Sequence, residues 1–84
     1  MATTVFKKPN KKQITDVKTH FADTLRNRRQ SLDMSQETLA NLAGVDRKTI
    51  NRIENGHFSP NLDTIVRLMT VLKLTPAKLI KFNV

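Results

Sequence analysis

The stretch GVDRKTINRIENG, residues 44–56, holds Arg47, Lys48 and Arg52 together with Asn51 and Asn55. Guanidinium and ammonium groups donate to phosphate oxygens and to O6 and N7 of guanine, and a carboxamide can pair with N6 and N7 of adenine. Spacing decides whether these groups share a surface. With about 100° per residue and Asp46 at zero, Ile50 and Ile53 bracket a buried direction near about 10°. Asn51, Asn55, Lys48 and Arg52 fall between about 140° and about 240°, facing away from it. Arg47 lies at the margin, in the first turn. Glu54 falls on the flank nearer the core. The outward face therefore carries two cations and two amides, a third cation at its leading end, and no acid. That face suits the major groove of duplex DNA, which is wide enough for one helix. It equally suits a solvated polar face, and this helix alone leaves both readings open.

Composition narrows the partners. The chain has 84 residues and a net charge of +8, which fits a phosphate-rich ligand. Residues 1–20 carry five lysines and one aspartate, net +4, whereas residues 21–56 carry six basic and five acidic side chains, net +1. In the middle segment the basic residues therefore matter by placement rather than by number. Cysteine is absent, which excludes a disulfide framework, a thiolate zinc site and a catalytic thiol. His20 and His57 sit far apart without a metal-ligand pattern. No Ser/His/Asp arrangement or phosphate-cradling glycine loop occurs, so neither enzyme activity nor a cofactor or metal is expected. No apolar run approaches the roughly 20 residues of a membrane span, so no membrane partner is expected and the cytoplasm is the expected location. Few aromatic residues are present to stack on single-stranded bases.

The elements that must hold this face are helical. Ile14, Val17, Phe21, Leu25 and Leu32 recur at helical spacing, which predicts a first helix over about Asp16–Leu32. Residues 1–15 read as a basic tail, broken at Pro9 and Asn10, and residues 16–84 as the folded domain. The tail fits an arm that reaches DNA phosphates as well as it fits a solvated end. Ser35 caps a second helix over Gln36–Ala43, with Leu39, Ala40, Leu42 and Ala43 as its apolar side, and Gly44 ends it. Asp46 caps a third helix, Arg47–Asn55, stopped at Gly56. Asn61 caps a fourth, with Leu62, Ile65, Leu68, Met69 and Leu72 as its core residues. Thr75 and Pro76 open a fifth, Pro76–Phe82. His20 reads as surface, and Phe58 as packed against the fourth helix. The expected fold is all-α: five short helices and a basic N-terminal extension.

Residues 36–55 thus form helix, tight turn and helix, with Ala40 small where the two cross, which is the pattern of a DNA-binding helix-turn-helix. The stretches LRNRRQSLDMSQETLANLAGV, TINRIENG and SPNLDTIVRLMTVLKL resemble the phage-repressor and Xre-like (lambda-repressor-like) helix-turn-helix family. That family includes restriction–modification controller proteins and some antitoxins. The resemblance covers residues 21–80.

It implies a transcription regulator that binds an inverted-repeat operator in double-stranded DNA as a homodimer, with helix 47–55 in the major groove. An antitoxin that also binds a toxin protein is the alternative. The resemblance implies base contacts from Arg47, Lys48 and Arg52; Asn51 suits a base or a phosphate and is placed with the base contacts. It implies a phosphate contact from Gln36, and Thr49, Asn55 and His57 are expected to meet phosphates too. It implies an ion pair of Arg29 with Glu54, in agreement with the core-side angle of Glu54. Without a separate dimerisation domain, the interface must come from the fold itself. Ile80, Phe82 and Val84 are the candidates, against the plainer possibility that they close the core, and Val5 and Phe6 offer another surface.

Overall fold

The computed structural model describes residues 5–82. These form five helices: α1 Lys11–Ser31, α2 Gln36–Ala43, α3 Arg47–Glu54, α4 Leu62–Leu72 and α5 Pro76–Leu79. The fold is all-α, as its patterning implies.

α1 begins well before the expected Asp16. Asn10 does not break the helix. It caps it, its side-chain oxygen accepting from the backbone N–H of Lys12 and Gln13. Pro9 stands just outside the cap, where its ring obstructs nothing. Residues 11–15 therefore belong to the helix rather than to a tail. Lys11 and Lys12 open its first turn with no acid among them, against the helix dipole. The exposed Lys12–Asp16 pair at 3.0 Å offsets this only slightly. α5, in contrast, stops early. Ile80 takes extended backbone (φ −111°, ψ 105°), so residues 80–82 leave the helix.

One core unites the helices. Leu25 of α1, Leu39 of α2, Ile50 and Ile53 of α3, Leu68 and Leu72 of α4 and Leu79 of α5 are fully buried. α2 packs on both α3 and α4, while α1 braces α3 and α5. Ala40 and Ala43 keep the α2 surface small where those partners press on it. Two leucines expected inside are not there. Leu62 is 72% exposed, because the buried stripe of α4 starts a turn later. Leu42 is 60% exposed, on the flank of α2 beyond Leu39. Phe58 is also partly exposed.

Arginines join the helix ends across sequence. Arg28 Nε donates to the Leu72 carbonyl at 2.9 Å, and Arg67 Nη1 to the Ala43 carbonyl at 3.2 Å. Each satisfies a C-terminal carbonyl that the helix itself leaves unpaired. His20 is half-buried rather than on the surface, its Nε2 lying 2.8 Å from the Lys78 carbonyl and tying α1 to α5.

Candidate nucleic-acid interface

The turn between α2 and α3 fixes the angle at which α3 is offered. Ser35 caps α2 by accepting from Thr38 N–H. Gly44 ends it in the left-handed region (φ 72°, ψ 37°), where a side chain is strained. A Cβ at Gly44 would also stand 2.9 Å from Arg67 Nη1, the group that caps Ala43. The Val45 N–H then reaches back to the Ala40 carbonyl at 3.0 Å. Asp46 starts α3 by accepting from Lys48 N–H at 3.0 Å. Thus only two residues separate the end of one helix from the cap of the next.

α3 divides into two faces. Ile50, Ile53 and Glu54 are buried, whereas Arg47, Lys48, Asn51, Arg52 and Asn55 are exposed and Thr49 is half-buried. Among the described residues no carboxylate pairs with Arg47, Lys48 or Arg52. Their charges are uncompensated and point outward. His57, beyond the left-handed Gly56, is exposed, and its backbone N–H closes α3 on the Arg52 carbonyl.

Behind this face lies a buried ion pair. Arg29 Nε donates to Glu54 Oε2 at 2.7 Å and Nη2 to Oε1 at 2.9 Å, a two-point clamp. Arg29 is 9% and Glu54 4% exposed. The remaining guanidinium nitrogen, Nη1, donates to the Met34 carbonyl at 2.7 Å. One side chain therefore fastens α1 to the α1–α2 link and to α3. Hydrogen bonding to Glu54 holds the Arg29 pKa above its ordinary value. Burial acts the other way, and the Glu54 charge adds to the rise. Arg26 adds a second link, Nη1 reaching the Glu54 carbonyl at 3.3 Å while Nη2 pairs with Asp23.

Sequence reasoning missed what joins this pair to the outer face. Gln36 Nε2 donates to Glu54 Oε1 at 3.1 Å. Asn51 Nδ2 donates to Gln36 Oε1 at 3.4 Å, and Asn55 Nδ2 to Asn51 Oδ1 at 3.1 Å. Gln36, Asn51 and Asn55 thus stand together on the surface, rooted in a buried carboxylate. Only the i,i+4 step from Asn51 to Asn55 has a sequence signal. The Gln36 links depend on how α2 crosses α3. Among the described residues no group of three or more His, Cys, Asp or Glu could hold a metal ion. None of the described helices is long and apolar enough to cross a membrane.

Val5, Phe6, Ile14, Val17, Ile80 and Phe82 line an open groove of about 750 Å³. Ile80 and Phe82, two of the expected interface residues, are both exposed there. The third, Val84, lies outside the described residues.

Two short helices joined by a left-handed turn, the second anchored by one face and showing unpaired cations on the other, define a helix-turn-helix. The chain belongs to the helix-turn-helix (HTH_3) family of DNA-binding transcription regulators, whose model matches residues 25–79. It is 43% identical over 47 residues to an uncharacterized HTH-type transcriptional regulator of Haemophilus influenzae, a match covering 56% of this chain. The match spans about half, 48%, of that curated relative's length. The crystal structure of the restriction-modification controller protein C.AhdI from Aeromonas hydrophila is 38% identical with a TM-score of 0.69, covering 76% of this chain and 96% of that one. The hypothetical transcription factor NHTF from Neisseria shares the fold at 24% identity, with a TM-score of 0.73 over 95% of this chain and 88% of that one.

Proposed function

We propose that the protein is a sequence-specific regulator that lays α3 in the major groove of duplex DNA. The observation that carries this reading is the trio Arg47, Lys48 and Arg52, exposed and unpaired on a helix whose opposite face is locked to the core. A merely solvated helix would gain from neutralising such a cluster, whereas a phosphate-rich groove rewards leaving it unpaired. Arg47, Lys48 and Arg52 reach base edges, guanine above all, as Arg and Lys do. Gln36, Thr49, Asn55 and His57 meet the backbone on either side. The reading needs no catalytic step and no cofactor.

One α3 spans only a few base pairs, so the active species is a homodimer on an inverted repeat, with half-sites about 10 bp apart or a multiple of that. Ile80 and Phe82 supply its apolar surface. Their exposure beside Val5, Phe6 and Ile14 supports this assignment. The likeness to a restriction–modification controller protein supports a regulator built on this helix-turn-helix fold.

Enrichment from a random duplex library at about 0.15 M salt, where non-specific binding is suppressed, tests the proposal. The expected product is a two-fold symmetric motif containing guanines. A folded protein that enriches nothing would refute it.

A further inference from the structure

Seven asparagines occur in the chain, and only Asn55 is followed by glycine. The pair is chemically reactive, because glycine has no Cβ to hinder its own backbone nitrogen as it approaches the preceding side chain. The Gly56 nitrogen can attack Asn55 Cγ and close a cyclic imide. The bond from Cγ to the amide nitrogen breaks, and that nitrogen leaves as ammonia with the Gly56 N–H proton. Water then opens the imide at either carbonyl, giving aspartate or isoaspartate. No other reactant is consumed.

The folded chain holds each participant out of reach. Asn55 has φ −88° and ψ 0°. That ψ turns the Gly56 nitrogen roughly a third of a turn away from the side chain, whereas ring closure needs it nearly eclipsed with Cβ. The nitrogen is also engaged, since Gly56 N–H donates to the Ile53 carbonyl at 3.0 Å. The leaving group is tied as well, Asn55 Nδ2 donating to Asn51 Oδ1 at 3.1 Å. One residue earlier, the Glu54 side chain is clamped by Arg29, and its carbonyl accepts from Arg26 Nη1 at 3.3 Å. The reactive geometry is reached only when the end of α3 opens, and the anchors on Glu54 oppose that opening.

We infer that Asn55–Gly56 is a deamidation site, that the Arg26 and Arg29 anchors on Glu54 gate it, and that the reaction converts the outward face of α3 into an inactive form. The product is an acid that is ionised at neutral pH. Its carboxylate would meet Asn51 Oδ1 acceptor to acceptor, on a face where Arg47, Lys48, Asn51, Arg52 and Asn55 include no acid. Its charge lies at the negative end of the helix dipole, where it is unfavourable. Isoaspartate also adds a carbon to the main chain just before Gly56, whose positive φ turns the chain out of α3. The loss of binding rests on the DNA reading. The site and its gate do not.

The test follows residue 55 by peptide mapping, which separates asparagine, aspartate and isoaspartate, during incubation near neutral pH. The parent, Arg26→Met and Arg29→Lys are each incubated folded and in denaturant. Both substitutions leave residues 53–57 unaltered, so the denatured samples should react alike. Arg26 is only half-buried, which keeps that variant folded if Arg29→Lys is not. The folded parent should react at least about tenfold more slowly than the denatured one, as closure of a local opening dictates. The folded variants should react severalfold faster than the folded parent. Equal rates for folded and denatured parent overturn the gate. Absence of reaction at Asn55 in denaturant overturns the site, and an unchanged rate in folded Arg26→Met overturns the role of the anchors. Asn55→Asp, which reproduces one product, should bind the selected operator at least about tenfold more weakly than the parent, the weight of a hydrogen bond to a charged group. Unchanged affinity there overturns the inactivation alone. A parent that binds no duplex removes the DNA reading and the inactivation with it, while the mapped rates still decide the site and its gate.

Discussion

Glu54→Ala is the most informative single change, because it strikes the point where α1, α2 and α3 are joined. It removes both acceptors of the Arg29 clamp and the acceptor of Gln36 Nε2. Arg29 keeps only its bond to the Met34 carbonyl and leaves two donors unpaired in a nearly closed site. Removing one partner of a buried pair costs about 3–5 kcal/mol, chiefly because the other charge is stranded. A domain of this length is stable by only about 4–13 kcal/mol in total. At about 4–8 °C per kcal/mol, the melting temperature should fall by at least about 12 °C. Thermal melts supported by denaturant titration measure it. A double variant, Arg29→Met with Glu54→Leu, adds the decisive contrast. It removes both charges and fills the volume, so it should lose less than Glu54→Ala alone, as apolar replacements of buried pairs do. An alanine variant melting within about 2 °C of the parent would refute the reasoning, since that shift is under about 1 kcal/mol. So would a double variant that loses the sum of the two single changes.

Three further predictions follow from other parts of the molecule. Gly44→Ala should cost about 1–2 kcal/mol for its left-handed backbone and more for displacing Arg67, while Gly56→Ala, with open space around its Cβ, costs the backbone term alone; equal losses in denaturant unfolding would mean that the Arg67 cap contributes nothing. Arg52→Ala should lower operator affinity by about 1–3 kcal/mol and relax preference at a guanine, read by quantitative binding to substituted operators, and an unaltered profile would remove Arg52 from the base readers. On the proposed homodimer, Ile80→Asp combined with Phe82→Asp should give monomers in sedimentation velocity where the parent sediments as a dimer, and weaken binding to the full inverted repeat much more than to a half-site. A variant pair that still sediments as a dimer would place the interface elsewhere.

The helices and the outward face were legible in the sequence because both follow from local rules. Ser35, Asp46 and Asn61 announce helix starts by accepting N–H bonds two or three residues on, and Gly44 announces an end by tolerating positive φ. The period of Ile50 and Ile53 fixes which side of α3 faces inward, and so where Arg47, Lys48 and Arg52 point. The misreadings were also local. Asn10 carries the same chemistry as the other caps, but beside Pro9 and among lysines it looked like a break. Leu62 and Leu42 are apolar residues at helical spacing that the packing leaves in water, because apolarity permits burial without requiring it.

The tertiary structure alone decided the long-range polar links of Gln36 and Arg28. Gln36 lies 18 residues from Glu54 and Arg28 lies 44 residues from the carbonyl it caps, whereas the Arg29–Glu54 pair, 25 residues apart, was already implied by the family resemblance. Periodicity sets which way a residue points along its own helix. It does not set which residue of another helix it meets, since that depends on crossing angle and separation, which the whole core fixes together. The composition of the exposed face of α3 was thus written in the chain, and the direction of its amides came from a carboxylate that folding brought beneath them.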